Sequence, residues 1–377
     1  MSWASRPGLA CSRRAFLLSI PAACLAAPAT GKGRIVSFPA VSYADPSTEF
    51  PVVRLTDPSV SSRLPPYGAR SIAKNGNSAI IASDASGRME AYRLDFKSGQ
   101  ARQLTEAESL APSSVTFTTD ERSFCYLEGR TVISASLSSL RTREVYRAGE
   151  GFDATGALCV TDDALFAVLV ERKGGHYRLR LVRMADGTAS TLAEADEEIL
   201  DPVPRPRRAS VLYRRGGSVW LSNFDGQQNY RLRLADGEAS EALWSPDGRT
   251  VLYLNYPVDS RKLRNIREFT PDANEDKAIA DTSQFVAFER NSDGSVFVGA
   301  SGSKASPYVL LLARAVKREF TLCEHRASDP RMVSPVFTAN SQRVLFTSDR
   351  HGKPAIYGMQ VEKMVSETES DEPRVYK

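Results

Sequence analysis

The chain has 377 residues, 42% hydrophobic and 25% charged, a balance that buries a large core and excludes both a disordered polar chain and a bundle of membrane spans. Its formal charge is +4 at pH 7, and because the first 29 residues hold three arginines and no acid, the remainder carries +1. So small an excess, without a concentrated basic stripe, excludes broad electrostatic binding to nucleic acid.

In chain order, the first signal is Ser12-Arg13-Arg14-Ala15-Phe16-Leu17-Leu18, followed by a short apolar stretch to Ala27 and the small-residue site Ala27-Pro28-Ala29. This is the pattern of a twin-arginine signal peptide over residues 1–29, which predicts export across a bacterial inner membrane in the folded state and a periplasmic or extracellular protein. Lipidation of Cys24 stays open, although Pro21 stands where an aliphatic residue is wanted. After residue 29 no apolar run approaches the roughly 20 residues of a membrane helix. Cys125, Cys159 and Cys323 are too widely spaced for a zinc cluster and do not pair off as a disulfide framework, so they read as isolated strand residues.

Residues 30–364 are organised by internal repetition. Asn75-Gly76-Asn77-Ser78-Ala79-Ile80-Ile81-Ala82-Ser83-Asp84-Ala85-Ser86-Gly87 and Asn340-Ser341-Gln342-Arg343-Val344-Leu345-Phe346-Thr347-Ser348-Asp349-Arg350-His351-Gly352 are copies of one unit, each continuing to a tyrosine, Tyr92 or Tyr357. The unit reads as a polar turn, an apolar strand, a Ser-Asp-x-x-Gly hairpin and a second strand. Further copies start at Phe117-Thr118-Thr119-Asp120, Trp244-Ser245-Pro246-Asp247-Gly248 and Asn291-Ser292-Asp293-Gly294, with weaker ones at Thr161-Asp162-Asp163 and residues 204–208. A period of roughly 40 residues with this content predicts propeller blades. The count is seven, with six or eight as the neighbouring possibilities, in a single all-β domain.

Val53-Arg54-Leu55-Thr56-Asp57 duplicates the outer-strand ending Gln103-Leu104-Thr105-Glu106 of the first blade. An open propeller would expose strand edges, so residues 48–57 are expected to complete the last blade, around residues 333–362, as an N-terminal closing strand. Residues 365–377 read as a polar, flexible tail.

The Trp-Ser-Pro-Asp-Gly blades are similar to those of TolB-like propellers. The run Val344-Leu345-Phe346-Thr347-Ser348-Asp349-Arg350-His351-Gly352-Lys353-Pro354-Ala355-Ile356-Tyr357 closely resembles the last blade of oligogalacturonate lyases, as do residues 48–56 and 99–105. The resemblance implies β-eliminative cleavage, or binding, of pectin-derived acidic oligosaccharides. It also implies a manganese ion, Mn(2+), held by three histidines and a glutamine, with a further histidine as base. A metal on the uronate carboxylate eases loss of the neighbouring proton, and a base of suitable pKa collects it.

Carried over residue by residue, the base position falls on Glu241 and the metal positions on Ala287, Asp329, Met332 and Ser334. The only histidines are His176, His325 and His351, and none stands at these places. Met332 is a poor manganese ligand and Ser334 a weak one, so the sequence supports no metal site; Asp329 with a displaced His325 is what remains for a metal, and Glu241 for a base. His176 and His351 sit in hairpin tips, where a solvated turn is their ordinary role.

Arg205, Arg207, Arg208, Arg214 and Arg215 cluster at the start of one blade, and Arg261, Lys262, Arg264 and Arg267 follow the Tyr256-Pro257 insertion of the next. Arginine pairs with carboxylates through two parallel hydrogen bonds, so Arg205, Arg207, Arg208 and Arg264 are candidate contacts for an acidic sugar chain, against a merely solvated face. Two function classes follow: a lyase on acidic oligosaccharides whose chemistry rests on groups other than those the family resemblance implies, or a non-catalytic propeller that binds a glycan or protein partner. Either is expected to be a monomer. A propeller peptidase is disfavoured, since no Gly-x-Ser-x-Gly elbow is present.

Overall fold

The computed structural model describes residues 31–365, apart from Tyr67 and Ser283. The twin-arginine stretch, Cys24 and residues 366–377 lie outside the described residues. Seven antiparallel sheets follow one another along the chain, giving the all-β, seven-bladed propeller that the repeat predicts.

The repeat works because the chain passes from first to second strand through a recurring polar turn. In blade five Ser245 Oγ donates to Asp247 Oδ1 (2.7 Å), which also accepts from the Arg249 N–H (3.0 Å). Thr118 and Asp120 build the same turn in blade two, Thr161 and Asp163 in blade three, and Thr338 and Asn340 in blade seven. These short polar side chains satisfy the backbone as the chain reverses. In six blades the fourth residue of the turn is at positive φ (Gly76, Glu121, Ala164, Gly248, Gly294 and Ser341), and in blade four it is the third, Arg207. At Gly248 the choice is forced, because a Cβ would lie 2.6 Å from the Pro206 carbonyl of the preceding blade.

The first strands of the seven blades are Ser62–Arg63, Thr116–Phe117, Asp153–Val160, Ile199–Pro204, Glu238–Trp244, Phe285–Arg290 and Val336–Phe337. From blade two to blade seven they pack against one another and so form the inner ring. The second strands are almost wholly buried, and apolar clusters fill the spaces between neighbouring blades. Tyr92, Tyr213, Tyr253 and Tyr357 are fully buried there, which explains the repeated tyrosine. Cys125, Cys159 and Cys323 are free and buried, and loss of solvation pushes the thiols of Cys125 and Cys159 up to about 12.

Closure follows the expected route. Pro51–Arg54 pairs with Ala355–Gln360, in register Val53 with Gly358 and Arg54 with Tyr357. Two further bonds extend the seam, Leu55 N–H to the Ile356 carbonyl (2.8 Å) and Ile356 N–H to Thr56 Oγ1 (2.9 Å). Val41–Ala44 adds a fifth strand outside it, while Ile35–Ser37 caps the outer strand Gln100–Gln103 of blade one. The N-terminal segment therefore stitches both sides of the seam. At the other end residues 362–365 form a helical turn, and Val365, the first residue of the expected tail, is buried beside Val361 and Val333.

Between blade one's first strand and its turn, Gly68 and Arg70 reach the inner strands of blades two to four. Arg70 N–H donates to Thr116 Oγ1 in blade two (3.0 Å), and its guanidinium reaches the Val160 carbonyl (3.4 Å) and Asp162 in blade three. Gly68, at φ +85°, abuts Cys159 and blade four's Val203, whose Cγ2 would lie 3.2 Å from an added Cβ. Cys159 and Val203 are near the ends of their strands, so this segment meets blades three and four toward the turn-bearing mouth.

Candidate functional site

Antiparallel alternation assigns each loop to one mouth of the channel. The turns after the first strands share one mouth. The starts of the first and third strands, and the hairpins joining second to third, share the other.

In blades three to six a bulge interrupts the first strand, between Ala154 and Leu158, Leu200 and Val203, Ser240 and Ala242, and Phe285 and Ala287. A bulge re-aims a side chain at the cost of a ladder bond. Asp201 (φ 48°) and Glu241 (φ 25°) occupy such bulges at positive φ, and Ser334 (φ 36°) ends the 3-10 turn Pro330–Val333 in blade seven. Residues without glycine's freedom sit there only where the surroundings hold them, a pattern concentrated at functional sites. Asp201, Glu241, Ala287 and Ser334 are equivalent residues of blades four to seven, each standing four positions before the first residue of its blade's turn.

Glu241 is a strongly perturbed acid of this ring. Its Oε2 accepts from the Phe288 N–H at 2.7 Å. Loss of solvation raises its carboxyl to about 8; Asp201 and Glu289 push in the same direction, while the Phe288 N–H and Arg214 oppose. Asp201 accepts from Arg214 Nε at 2.7 Å, so a compensated ion pair stands beside an acid without a dedicated cation. Glu289, also raised by loss of solvation, lies further toward the turn mouth, where it and Arg290 line a cavity with Arg70 and Thr338.

Tyr256 joins Glu241 to the basic residues of this mouth. Its hydroxyl reaches the Phe285 carbonyl (3.4 Å), and the Arg264 guanidinium stacks on its ring 4.4 Å from the centroid. Arg264 Nη1 donates to the same carbonyl at 2.8 Å. Burial raises the phenol, and it lies within electrostatic reach of Arg264, Glu241 and Arg331.

Glu241 therefore lies against blade six next to Ala287, and the 3-10 turn carrying Met332 packs on that same strand, with Val333 and Ala287 in one apolar cluster. These positions gather on one wall of the channel, but their donors do not suit manganese. Ala287 offers no lone pair, Met332 a soft thioether, and Asp329 Oδ1 already accepts from the Arg331 N–H (2.9 Å) as the cap of the 3-10 turn. His325 is buried, with Nδ1 accepting from the Ala327 N–H (3.0 Å) and Nε2 facing the Ser301 carbonyl (3.0 Å), so neither ring nitrogen keeps a lone pair for a metal. Burial also lowers its pKa, favouring the neutral ring that this bonding requires. Among the described residues no group of three or more His, Cys, Asp or Glu could hold a metal ion.

His176 pairs at an exposed hairpin with Asp196 (2.9 Å), and His351 bonds the Tyr357 hydroxyl (2.8 Å). Arg205, Arg207 and Arg208 lie at the turn mouth, away from Glu241 and Arg264. Arg205 is buried there, donating to the Gly248 carbonyl (2.7 Å), stacking on Trp244 and approaching Asp272 (3.5 Å), which Arg208 shares. Asp201, Tyr256 and Arg331 are site residues that the motif reading passed over, and Arg214 entered it only as one of a basic cluster. The signal was the common offset from the turn for Asp201 and the stride of a hairpin for Arg214 and Tyr256; Arg331 carried none.

The fold and this wall define a closed seven-bladed propeller with an acid-and-arginine site at one mouth. Residues 30–180 match the family model described as oligogalacturonate lyase. The chain is 24% identical over 378 residues to an oligogalacturonide lyase of Pectobacterium atrosepticum and equally to an oligogalacturonate lyase of Dickeya dadantii, in each case across 86% of this chain and 97% of the relative. A solved structure titled oligogalacturonate lyase in complex with manganese superposes with a TM-score of 0.82 at 23% identity, covering 88% of this chain and 98% of that one. The resemblance is to the oligogalacturonate lyase family, with the implied base and metal histidines replaced.

Proposed function

We propose that this chain is an oligogalacturonate lyase-like enzyme that cleaves pectin-derived acidic oligosaccharides by β-elimination, with Glu241 as the proton acceptor. The observation that carries the reading is the Glu241 carboxyl, poised at about 8 on the wall where the resemblance sets a base. A carboxylate of that basicity removes a weakly acidic C–H proton far better than an ordinary one.

In the step, the proton on the carbon next to the uronate carboxylate passes to Glu241. The C–H electron pair becomes the new C=C bond, and the glycosidic C–O bond breaks with its pair on the leaving oxygen. That oxygen takes a proton from water and the hydroxide left behind takes the proton from Glu241, so the sum is one glycosidic bond cleaved and one unsaturated sugar end, with no water consumed and the carboxylate restored. Positive charge near the uronate carboxylate stabilises the intermediate anion.

We infer also that the protein is exported by the twin-arginine route to the periplasm or beyond and works as a monomer, readings supported by Ser12–Leu18 and by a ring whose edges are paired within one chain. Among the described residues no helix is long and apolar enough to cross a membrane. Incubation of the purified protein with digalacturonate tests the reading: absorbance from a conjugated, unsaturated uronate is expected, and binding with no such product would leave a non-catalytic glycan-binding propeller instead.

A further inference from the structure

The wall beside Glu241 lacks the donors for manganese, yet a substrate carboxylate arriving there meets a desolvated acid and needs a positive partner. We propose that Arg331, with Arg264, binds the uronate carboxylate in this propeller, so that guanidinium groups serve where the manganese-bearing relative holds its metal. The inference rests on the substrate class proposed above.

Three observations carry it. Arg331 lies between Asp329 and Met332, inside the very segment on which three of the four implied metal positions fall, and the 3-10 turn Pro330–Val333 fixes its backbone. Its side chain is exposed, and among the described residues its guanidinium makes no hydrogen bond or ion pair, whereas three neighbouring arginines of this mouth are committed. Arg214 is held by Asp201, Arg326 by Glu324, and Arg350 by the Glu324 carbonyl (2.7 Å). Finally, Arg331, Arg264 and Glu241 all act electrostatically on the single phenol of Tyr256, so two cations and the acid converge on one locus.

The chemistry is suited to the ligand. A guanidinium stays charged at any working pH and presents two parallel N–H groups to a carboxylate. Arg264, stacked on Tyr256 and tied to the Phe285 carbonyl, is the fixed partner, and Arg331 the one that closes on the substrate. Unlike a bound metal, neither can be removed by a chelator.

The test uses the full-length purified protein with digalacturonate and its methyl ester. After treatment with EDTA, wild-type turnover is expected to be unchanged, and added manganese should alter it less than about twofold. By calorimetry, Arg331→Gln should weaken digalacturonate binding about 10–100-fold, the range of a lost charge-assisted contact. It should also erase the preference for the free acid over the ester, while Arg331→Lys restores part of it. Since Arg331 is exposed, its variants should unfold at the wild-type temperature.

Turnover that EDTA abolishes, or Arg331→Gln binding equal to wild type, overturns the arginine assignment and leaves the lyase reading standing. Binding that depends on Arg331 without any product does the reverse. A wild type that neither binds nor cleaves digalacturonate sinks both.

Discussion

The two mouths of this channel hold similar side chains in opposite conditions. At the turn mouth three of the arginines described above have become part of the scaffold: Arg205 is buried on Trp244 and the Gly248 carbonyl, Arg70 is tied to Val160 and Asp162, and Arg290 donates to the Trp244 carbonyl at 2.9 Å. At the other mouth a glutamate is held at positive φ with its charge opposed by burial, and a guanidinium is left uncommitted. Charge that is already satisfied holds blades together; charge that is held unsatisfied has something left to give a ligand.

The contrast can be broken most decisively at Glu241. Glu241→Gln keeps an oxygen for the Phe288 N–H but removes the base, so kcat should fall by about 10²–10⁴-fold with the melting temperature preserved or raised. An active glutamine variant would remove the acid from the mechanism.

The next effect is on pH. If Glu241 is the base, kcat/KM rises with pH and levels above about 8, and the profile flattens in Glu241→Gln. Stability runs the other way. Folding favours the protonated form, because the folded pKa is raised, so that contribution is fully present below the ordinary carboxyl range and is lost as pH rises through about 8. Melting curves of wild type and Glu241→Gln should therefore diverge by a few kcal/mol on going from about pH 5 to about pH 9, in favour of glutamine.

The turn mouth should respond in stability alone. Arg205→Ala removes a buried hydrogen bond and a stacked cation, and should cost about 1–3 kcal/mol in urea unfolding with KM unchanged. Gly68→Ala should cost a similar amount, since it combines positive φ with a close approach to Val203. Arg207→Ala is the smallest change, within about 0.5 kcal/mol and without effect on turnover. A large KM effect at Arg205 or Arg207 would put substrate at the mouth where the charges are already used.

The scaffold was legible because its signals are local and repeated. A polar turn, an apolar strand and a tyrosine recur at fixed offsets, and the duplicate of blade one's outer strand in residues 53–57 announces the closure. The site was legible only in part. Glu241 was found by its distance from Trp244-Ser245-Pro246, but the same distance from Arg205 leads to Asp201, which no motif marks. Arg205, Arg207 and Arg208 drew attention as a cluster, although a first-strand turn and a second-strand hairpin must face opposite mouths. Arg331 stood at a position without a motif role, and its importance rests on having no partner, which only three-dimensional packing reveals.

The closing strand has a consequence of its own. Residues 53 and 54 meet residues 357 and 358, so the seam joins points some 300 positions apart. Six blades can condense from neighbouring stretches of chain, but the seventh waits for a partner from the far end, and loop-closure entropy makes that the slow step. The seam should thus be the last join to form and the first to breathe. Amide exchange along Pro51–Arg54 and Ala355–Gln360 would read out ring opening, which frees blade seven and the Arg331 turn together.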